Sequence, residues 1–263
     1  MNNINEEIFR AYDIRGTYPT TINEQTAFTV GKSYGSYLQE KYNKTSCIVS
    51  HDNRLSSETL TQNLIKGLVS SGINIVSLGY TTTPMNYYAR YLNQMPGIMV
   101  TASHNPKDDN GFKMSFDGMI NARGEMIEDF KNYTLAGNFK NGQGKITNTN
   151  ITDKYLEYLK YSLKFGKNKR KVVIDPGNGA TTHIIRKVFD NVFCNPIYIN
   201  DISDGSFPNH HPDPAVAENL VQLQKAVKDN RADFGVAYDG DGDRIGVVME
   251  NGEILQIEHL MLL

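Results

Sequence analysis

The sequence predicts an α/β protein with two consecutive domains. Two βαβ patterns, each made of an apolar run, a helical segment and a second apolar run, flank a stretch rich in Gly, Asn, Thr and Lys at residues 137–150. Each crossover predicts parallel pairing of the strands that it joins. The loop-like stretch is typical of a domain boundary, and 263 residues are enough for two domains with separate cores.

Composition excludes several classes of function. Acidic and basic residues nearly cancel, with a net charge of -2, and no basic stripe is present, so nucleic acid is not an expected partner. The first residues lack a basic and apolar secretory signal, and no stretch approaches the ~18 apolar residues of a membrane span. We therefore expect a cytoplasmic protein with no membrane contact. Cys47 and Cys194 fall in separate strand patterns and are expected to be free thiols.

The first half opens with a short strand at residues 9–16 that closes in a glycine turn, with Tyr12 and Arg15 near its end, where both could grip an anion. A helix is predicted from Asn23, its N-cap, to about residue 41, because apolar residues recur at helical spacing. The further predictions are a strand at 47–50, a helix from residue 56 or 57 to about 71, a strand at 73–78 and a helix from 84 to about 92.

An apolar run at residues 97–102 ends in Ser103, followed by His104 and an Asn-Pro turn signal. This pattern predicts a buried strand that delivers Ser103 to an exposed loop, where a nucleophile could sit. The alternative is a surface turn that happens to contain serine. Residues 110–116 alternate like a strand, which would place Lys113 near the Ser103 loop.

The second half repeats the alternation of strands and helices. Helices are predicted at 152–163, 180–189 and 218–230, and strands at 171–175, 195–200, 232–238, 245–250 and 253–257, the last two as a hairpin. The Gly177-Asn178-Gly179 turn lacks the third glycine of a dinucleotide fingerprint and is interpreted as a tight turn. His210 and His211 have no further ligands at metal-site spacing, which favours a structural loop.

Asp239, Asp241 and Asp243 alternate with glycines directly after a predicted strand. Side chains two residues apart in extended chain point to the same side, so the three carboxylates can converge. Each pair of like charges ~4 Å apart costs about 4 kcal/mol at an effective dielectric near 20, which predicts a cation. Oxygen ligands select Mg²⁺ or Ca²⁺. An EF-hand is disfavoured because Arg244 occupies the position of the required glycine.

Together these residues suit phosphoryl transfer. Ser103 is the candidate nucleophile, the three aspartates are the candidate metal ligands, and Arg15, Lys113 and Arg244 are candidate donors to phosphoryl oxygens. His104 follows Ser103 directly, and neighbouring side chains in extended chain diverge, so we expect it to position a phosphate oxygen rather than deprotonate Ser103. Lys113 is then the alternative proton carrier.

Six motifs carry a resemblance to a known family: FRAYDIRG at 9–16, TASHNP at 101–106, NGFK at 110–113, DPGNGA at 175–180, FPNHHPDP at 207–214 and DGDGDR at 239–244. In this order they resemble the N-terminal part of the α-D-phosphohexomutase family, in its phosphomannomutase/phosphoglucomutase branch. The resemblance implies two three-layer α/β domains with mixed sheets: a phosphoserine domain at 1–145 and a metal-binding domain at 146–256. Residues 257–263 are expected to begin a third domain that is missing here.

The resemblance also implies an activity. Phosphorylated Ser103 would give its phosphoryl group to a hexose phosphate, and the hexose bisphosphate would reorient and return the other phosphate. Mg²⁺ would be held by the three aspartates and a phosphoserine oxygen, Arg15 and Lys113 would assist transfer, and Tyr12, His104 and Arg244 would line the site. We expect a phosphohexomutase acting on mannose or glucose phosphates, truncated at Leu263 and of reduced or no turnover. The alternative is a catalytically silent module that binds a metal or sugar phosphate and acts through a partner.

Overall fold

The computed structural model describes residues 4–118, 120–164, 166, 168–189 and 194–256. The chain forms two compact units, one taking in Met1–Ala102 and Pro106–Ile151, the other Ser103–Asn105 and Thr152–Leu263. The domain limits proposed from the sequence, at 145/146 and 256/257, stay predictions. Residues 257–263, expected to begin a third domain, lie outside the described residues.

The first unit is built around a six-stranded sheet. Its strands are β1 (Ile14–Thr17), β2 (Ser46–His51), β3 (Asn74–Tyr80), β4 (Gly97–Val100), β5 (Asp109–Ser115) and β6 (Ile146–Asn148), and its helices are α1 (Glu24–Lys41), α2 (Ser57–Ser71), α3 (Thr83–Asn93) and α4 (Glu125–Ala136). The strand order is β1-β5-β4-β2-β3-β6. β2 pairs in parallel with β4 and β3, and β3 pairs in parallel with β6. β5 is antiparallel to both β1 and β4, so the sheet is mixed, as predicted.

Local sequence explains where these elements begin and what they bury. The predicted N-cap of α1 is confirmed, because Oδ1 of Asn23 accepts from the Thr26 amide at 3.0 Å. The core beneath α1 and α4 is aromatic, with Tyr34, Phe116 and Phe130 fully buried and in ring contact. This packing fixes one layer of helices on the sheet whose strand β4 leads to Ser103.

The second unit has a five-stranded mixed sheet in the order β11-β10-β9-β7-β8. Its strands are β7 (Arg170–Asp175), β8 (Cys194–Tyr198), β9 (Phe234–Tyr238), β10 (Ile245–Met249) and β11 (Ile254–Leu255), its helices are α5 (Thr152–Ser162), α6 (Ile185–Phe189) and α7 (Val221–Asn230), and 3-10 helices span Ala180–His183 and Ala217–Leu220. β7 pairs in parallel with β8 and β9, whereas β10 is antiparallel to β9 and β11.

The continuous helix predicted at 180–189 is wrong. The chain instead forms a 3-10 helix and the short α6. Thr182 explains part of the difference, because its hydroxyl donates to the carbonyl of Gly179 at 2.6 Å and so competes with the regular helical ladder. Among the described residues, no helix has both the length and the apolar character that a membrane crossing requires.

Candidate active site

Ser103 follows β4 by three residues and belongs by its contacts to the second unit. It is 1% exposed, and its φ of +55° lies in the left-handed region, which costs a residue with a side chain about 1–3 kcal/mol. Its Oγ donates to Oδ2 of Asp239 at 2.6 Å. Such a short bond to a carboxylate is charge-assisted, so the hydroxyl is held in one direction.

Asp239 begins the loop after β9 and is fully buried. Its Oδ1 accepts the backbone amides of Gly242, Asp243 and Arg244, each at 3.0 Å. One carboxylate oxygen therefore organises the loop, while the other faces Ser103. The three amide hydrogen bonds to Oδ1 explain why the acidic loop turns tightly around Asp239.

Asp241 is also fully buried, whereas Asp243 is exposed. One oxygen from each of the three carboxylates lies within 4.8 Å of the others, which confirms that their side chains converge. Burying like charges this closely is unfavourable without a counter-charge, and three carboxylate oxygens are ligands that a hard divalent cation prefers. The residues present therefore fit Mg²⁺.

Gly240 allows the close approach of the acidic loop to the serine segment. A Cβ atom built on Gly240 would lie 2.4 Å from the carbonyl oxygen of Ser103, a distance that no side chain tolerates. On its other side, the carbonyl of Gly240 accepts from the Ala180 amide at 2.8 Å. Only glycine fits between these neighbours.

His104 lies between Ser103 and Arg244. Its Nδ1 is 3.3 Å from Oγ of Ser103, and its Nε2 is 3.4 Å from Nη1 of Arg244. A guanidinium can only donate, so Nε2 is the acceptor and the imidazole proton is assigned to Nδ1. In this tautomer Nδ1 donates to Ser103 and cannot take its proton. The positioning role of His104 stays a prediction.

Six of the nine predicted site residues thus come together within the second unit: Ser103, His104, Asp239, Asp241, Asp243 and Arg244. The other three belong to the first unit. Tyr12 is 72% exposed before β1, and Lys113 lies on β5 opposite Met99 of β4. Arg15, on β1, donates from Nε to Oδ2 of Asp13 at 2.7 Å and from Nη1 to the carbonyl of Ala102 at 2.9 Å.

Family models match both halves of the chain. Residues 6–141 match phosphoglucomutase/phosphomannomutase alpha/beta/alpha domain I, and residues 153–252 match alpha/beta/alpha domain II of the same proteins. The chain belongs to the phosphoglucomutase/phosphomannomutase family. The resemblance and the two three-layer domains with mixed sheets, both predicted from the sequence, are thereby confirmed.

Individual members of the family are similar to this chain in sequence and in structure. A phosphomannomutase/phosphoglucomutase from Pseudomonas syringae is 41% identical over 98% of this chain and 55% of its own length. A phosphoglucomutase from Neisseria meningitidis is 36% identical over 100% of this chain and 57% of its own length. A crystal structure of a family member from Burkholderia thailandensis has a TM-score of 0.92 and 34% identity, covering 98% of this chain and 58% of that one. The chain thus spans about half the length of these relatives.

Two residues in loops of this phosphohexomutase fold received no functional prediction. Arg54, which follows β2, is 2% exposed, and its guanidinium reaches the chain just after the serine segment. His210 is paired with the buried Asp175 at the end of β7. Arg54 gives one sequence signal, since it closes an Asp-x-Arg pattern that Asp13 and Arg15 also form.

Proposed function

We propose that the chain carries the phosphoryl-transfer half of a phosphohexomutase that interconverts hexose 1-phosphate and hexose 6-phosphate of mannose or glucose. The observation that carries the proposal is the hydrogen bond from Oγ of Ser103 to Asp239, the first residue of a convergent acidic loop. A serine hydroxyl fixed beside a candidate divalent-metal site is the arrangement that phosphoryl transfer needs.

In the proposed cycle, phosphorylated Ser103 donates its phosphoryl group to the free hydroxyl of a hexose monophosphate. The Oγ–P bond breaks, a bond from phosphorus to the sugar oxygen forms, and the hydroxyl proton returns to Oγ. The hexose bisphosphate then reorients, and Oγ attacks the other phosphorus while the sugar oxygen there takes up the Oγ proton. We assign the proton transfers to Lys113, since the tautomer of His104 leaves no acceptor at Nδ1.

The remaining predicted residues keep their proposed roles. Arg15 assists the transfer, while Tyr12, His104 and Arg244 bind substrate. Asp239, Asp241 and Asp243, with an oxygen of phosphorylated Ser103, would hold Mg²⁺. When bound, Mg²⁺ would neutralise charge on the phosphoryl oxygens.

Phosphorylation of Ser103 is the direct test. The 263-residue chain is incubated with a hexose 1,6-bisphosphate and Mg²⁺, and its intact mass is measured. We expect one phosphoryl adduct in the wild type and none in Ser103→Ala, because the adduct requires Oγ. Ser70→Ala, a serine of α2 whose hydroxyl bonds within its own helix, is the matched control and should keep the adduct. Absence of the adduct from the wild type would favour the silent binding module.

We further propose that these 263 residues accept the phosphoryl group but interconvert hexose phosphates poorly. The chain covers only 55% of the Pseudomonas syringae relative, and the family resemblance implies that a mutase of that length also uses residues outside the matched part to recognise the sugar. A coupled assay for hexose 6-phosphate tests this. Sustained conversion of hexose 1-phosphate by the 263-residue chain would contradict the proposal.

A further inference from the structure

Arg54 places a guanidinium in the interior of the first unit, where its side chain has no exposed surface. Its Nε lies 3.3 Å from Oδ2 of Asp52, and its Nη1 donates to the carbonyls of Pro106 at 2.6 Å and Asp109 at 3.1 Å. One side chain therefore joins the loop after β2 to the loop that follows the serine segment. Such a buried cation is retained only with its counter-ion and hydrogen bonds in place.

The counter-ion is itself held firmly. Oδ1 of Asp52 accepts the backbone amide of Arg54 at 3.0 Å and the hydroxyl of Ser57, and Nδ2 of Asn110 donates to the same hydroxyl at 2.9 Å. The start of α2 and the start of β5 are thus linked through Asp52. Because these bonds fix the carboxylate, they also fix where the guanidinium of Arg54 lies.

On the N-terminal side of the serine segment, an arginine paired with an aspartate likewise donates to a main-chain carbonyl. Arg15 donates to the carbonyl of Ala102, the residue before Ser103, and pairs with Asp13. Arg54 donates to the carbonyl of Pro106, the residue after the three-residue segment Ser103–Asn105. In both cases an Asp-x-Arg pattern supplies a guanidinium whose direction is set by the aspartate two residues earlier. Both ends of the segment are therefore anchored through main-chain carbonyls.

We propose that Arg54 is a positioning residue for the phosphoryl transfer at Ser103. The predicted effect on the rate of transfer rests on the proposed function. The anchoring of the serine segment rests on the contact of Arg54 with Pro106. Ser103 keeps a left-handed backbone and a directed Oγ only while the chain on both sides is fixed. Lysine cannot replace Arg54, because a single ammonium cannot contact Asp52 and both carbonyls in the planar geometry of a guanidinium.

The test compares Arg54→Lys with Arg90→Lys. Arg90, on α3, is equally buried at 3% exposure and donates to Oδ1 of Asn121 at 2.8 Å, away from the ends of the serine segment. The rate of the phosphoryl adduct is measured in single turnovers across a range of hexose 1,6-bisphosphate concentrations. We expect Arg54→Lys to lower the rate at saturation between about 10-fold and 100-fold, with little change in half-saturation, because a small misplacement of the nucleophile has an effect of this order.

Arg90→Lys should lose comparable thermal stability and keep the wild-type rate. A wild-type rate in Arg54→Lys, or an equal loss of rate in both variants, would overturn the proposal, since the role of Arg54 would then be structural only. If circular dichroism shows that Arg54→Lys does not fold, Asp52→Asn is measured instead. Its slower transfer would support the proposal and an unchanged rate would overturn it.

Hydrogen exchange separates this inference from the proposed function. Peptides covering residues 101–109 should exchange faster in Arg54→Lys than in the wild type and Arg90→Lys, whether or not an adduct forms. An adduct missing from the wild type would refute the proposed function alone. Unchanged exchange in these peptides would refute the anchoring by Arg54.

Discussion

The two units fix the loop after a central parallel strand by similar means. Asp52 follows β2 in the first unit, and Asp175 ends β7 in the second, and both are buried. Oδ1 of each accepts the backbone amide two residues later, at 3.0 Å in Arg54 and 2.9 Å in Gly177. Oδ2 of each meets a basic side chain, Arg54 in one unit and His210 in the other. Both units thus contain a turn held by a buried aspartate, which pairs with Arg54 in the first unit and with His210 in the second.

The partners differ in whether they can lose their charge. A guanidinium keeps its proton in proteins. His210 places Nε2 3.0 Å from Oδ2 of Asp175 and Nδ1 2.9 Å from the carbonyl of His211. A carboxylate and a carbonyl both accept, so both ring nitrogens are placed to donate, a geometry that favours the protonated imidazolium. Of these two turns, the one in the second unit therefore has a partner that can lose its charge.

The turn held by Asp175 and His210 leads to the acidic loop. Gly177 has a φ of +55° and Asn178 one of +59°, so two left-handed residues form the turn. A few residues on, the amide of Ala180 donates to the carbonyl of Gly240, between Asp239 and Asp241. The turn that His210 holds is thus hydrogen-bonded to the acidic loop within the second unit, and Arg54 contacts Pro106 and Asp109 within the first.

Removing the guanidinium should have the largest effect on stability. Arg54→Met leaves the carboxylate of Asp52 buried without its cation, and breaking a buried ion pair in this way lowers the free energy of unfolding by about 3–5 kcal/mol. Urea unfolding followed by circular dichroism measures the loss. Asp52→Asn/Arg54→Met is the control, and it should be more stable than Arg54→Met because no charge is left unpaired. An equal loss in both would show that the packing of Arg54, rather than the ion pair, matters.

Replacing His210 should lower the free energy of unfolding by less than replacing Arg54. His210→Gln removes the charge but leaves an amide that can still donate to Asp175, so the free energy of unfolding should fall by no more than about 1.5–3 kcal/mol, the contribution of a charged hydrogen bond. The same urea unfolding measures the change. His211→Gln is the matched control, since His211 contributes its main-chain carbonyl to the network and the substitution keeps it. Equal destabilisation by the two substitutions would contradict the pairing with Asp175.

Much of the fold could be predicted, because it is encoded locally. Asn23 marks the start of α1 by a cap, and the aspartates of the acidic loop stand two apart after a strand. α4 is not among the predicted helices, although Ile127, Phe130 and Thr134 follow helical spacing, because Gly124 at its N-cap offers no capping side chain.

The supports of the site could not be predicted in the same way. Arg54 binds main-chain carbonyls, and every residue has one, so no residue type marks its targets. His210 meets Asp175 across 35 residues of sequence, which no local period records. Ser103 and Asp239 are farther apart still, by 136 residues of sequence, yet their convergence was predictable because both residues carry chemistry that needs a partner.

The smallest and most specific difference between the units is their response to pH. Burial would lower the pKa of His210, but the hydrogen bond and charge of Asp175, with the His211 carbonyl, outweigh burial and raise the pKa above its ordinary value. The stabilisation is therefore complete below the unfolded pKa, about 6.5, and is lost as pH rises through the folded pKa. His183 acts in the opposite sense, because burial and Lys187 lower its pKa, but its contribution changes below about pH 6.5.

Urea unfolding between about pH 6.5 and pH 8.5 should therefore show wild-type stability falling with rising pH and His210→Gln remaining flatter. Arg54→Met should follow the wild-type slope, since the cation that it removes does not titrate in this range. Nitrogen-15 shifts of the His210 ring at the lower pH should report two protonated nitrogens. If the wild type and His210→Gln had the same slope, the buried cation of the second unit would be as insensitive to pH as that of the first, and the contrast between the units would fail.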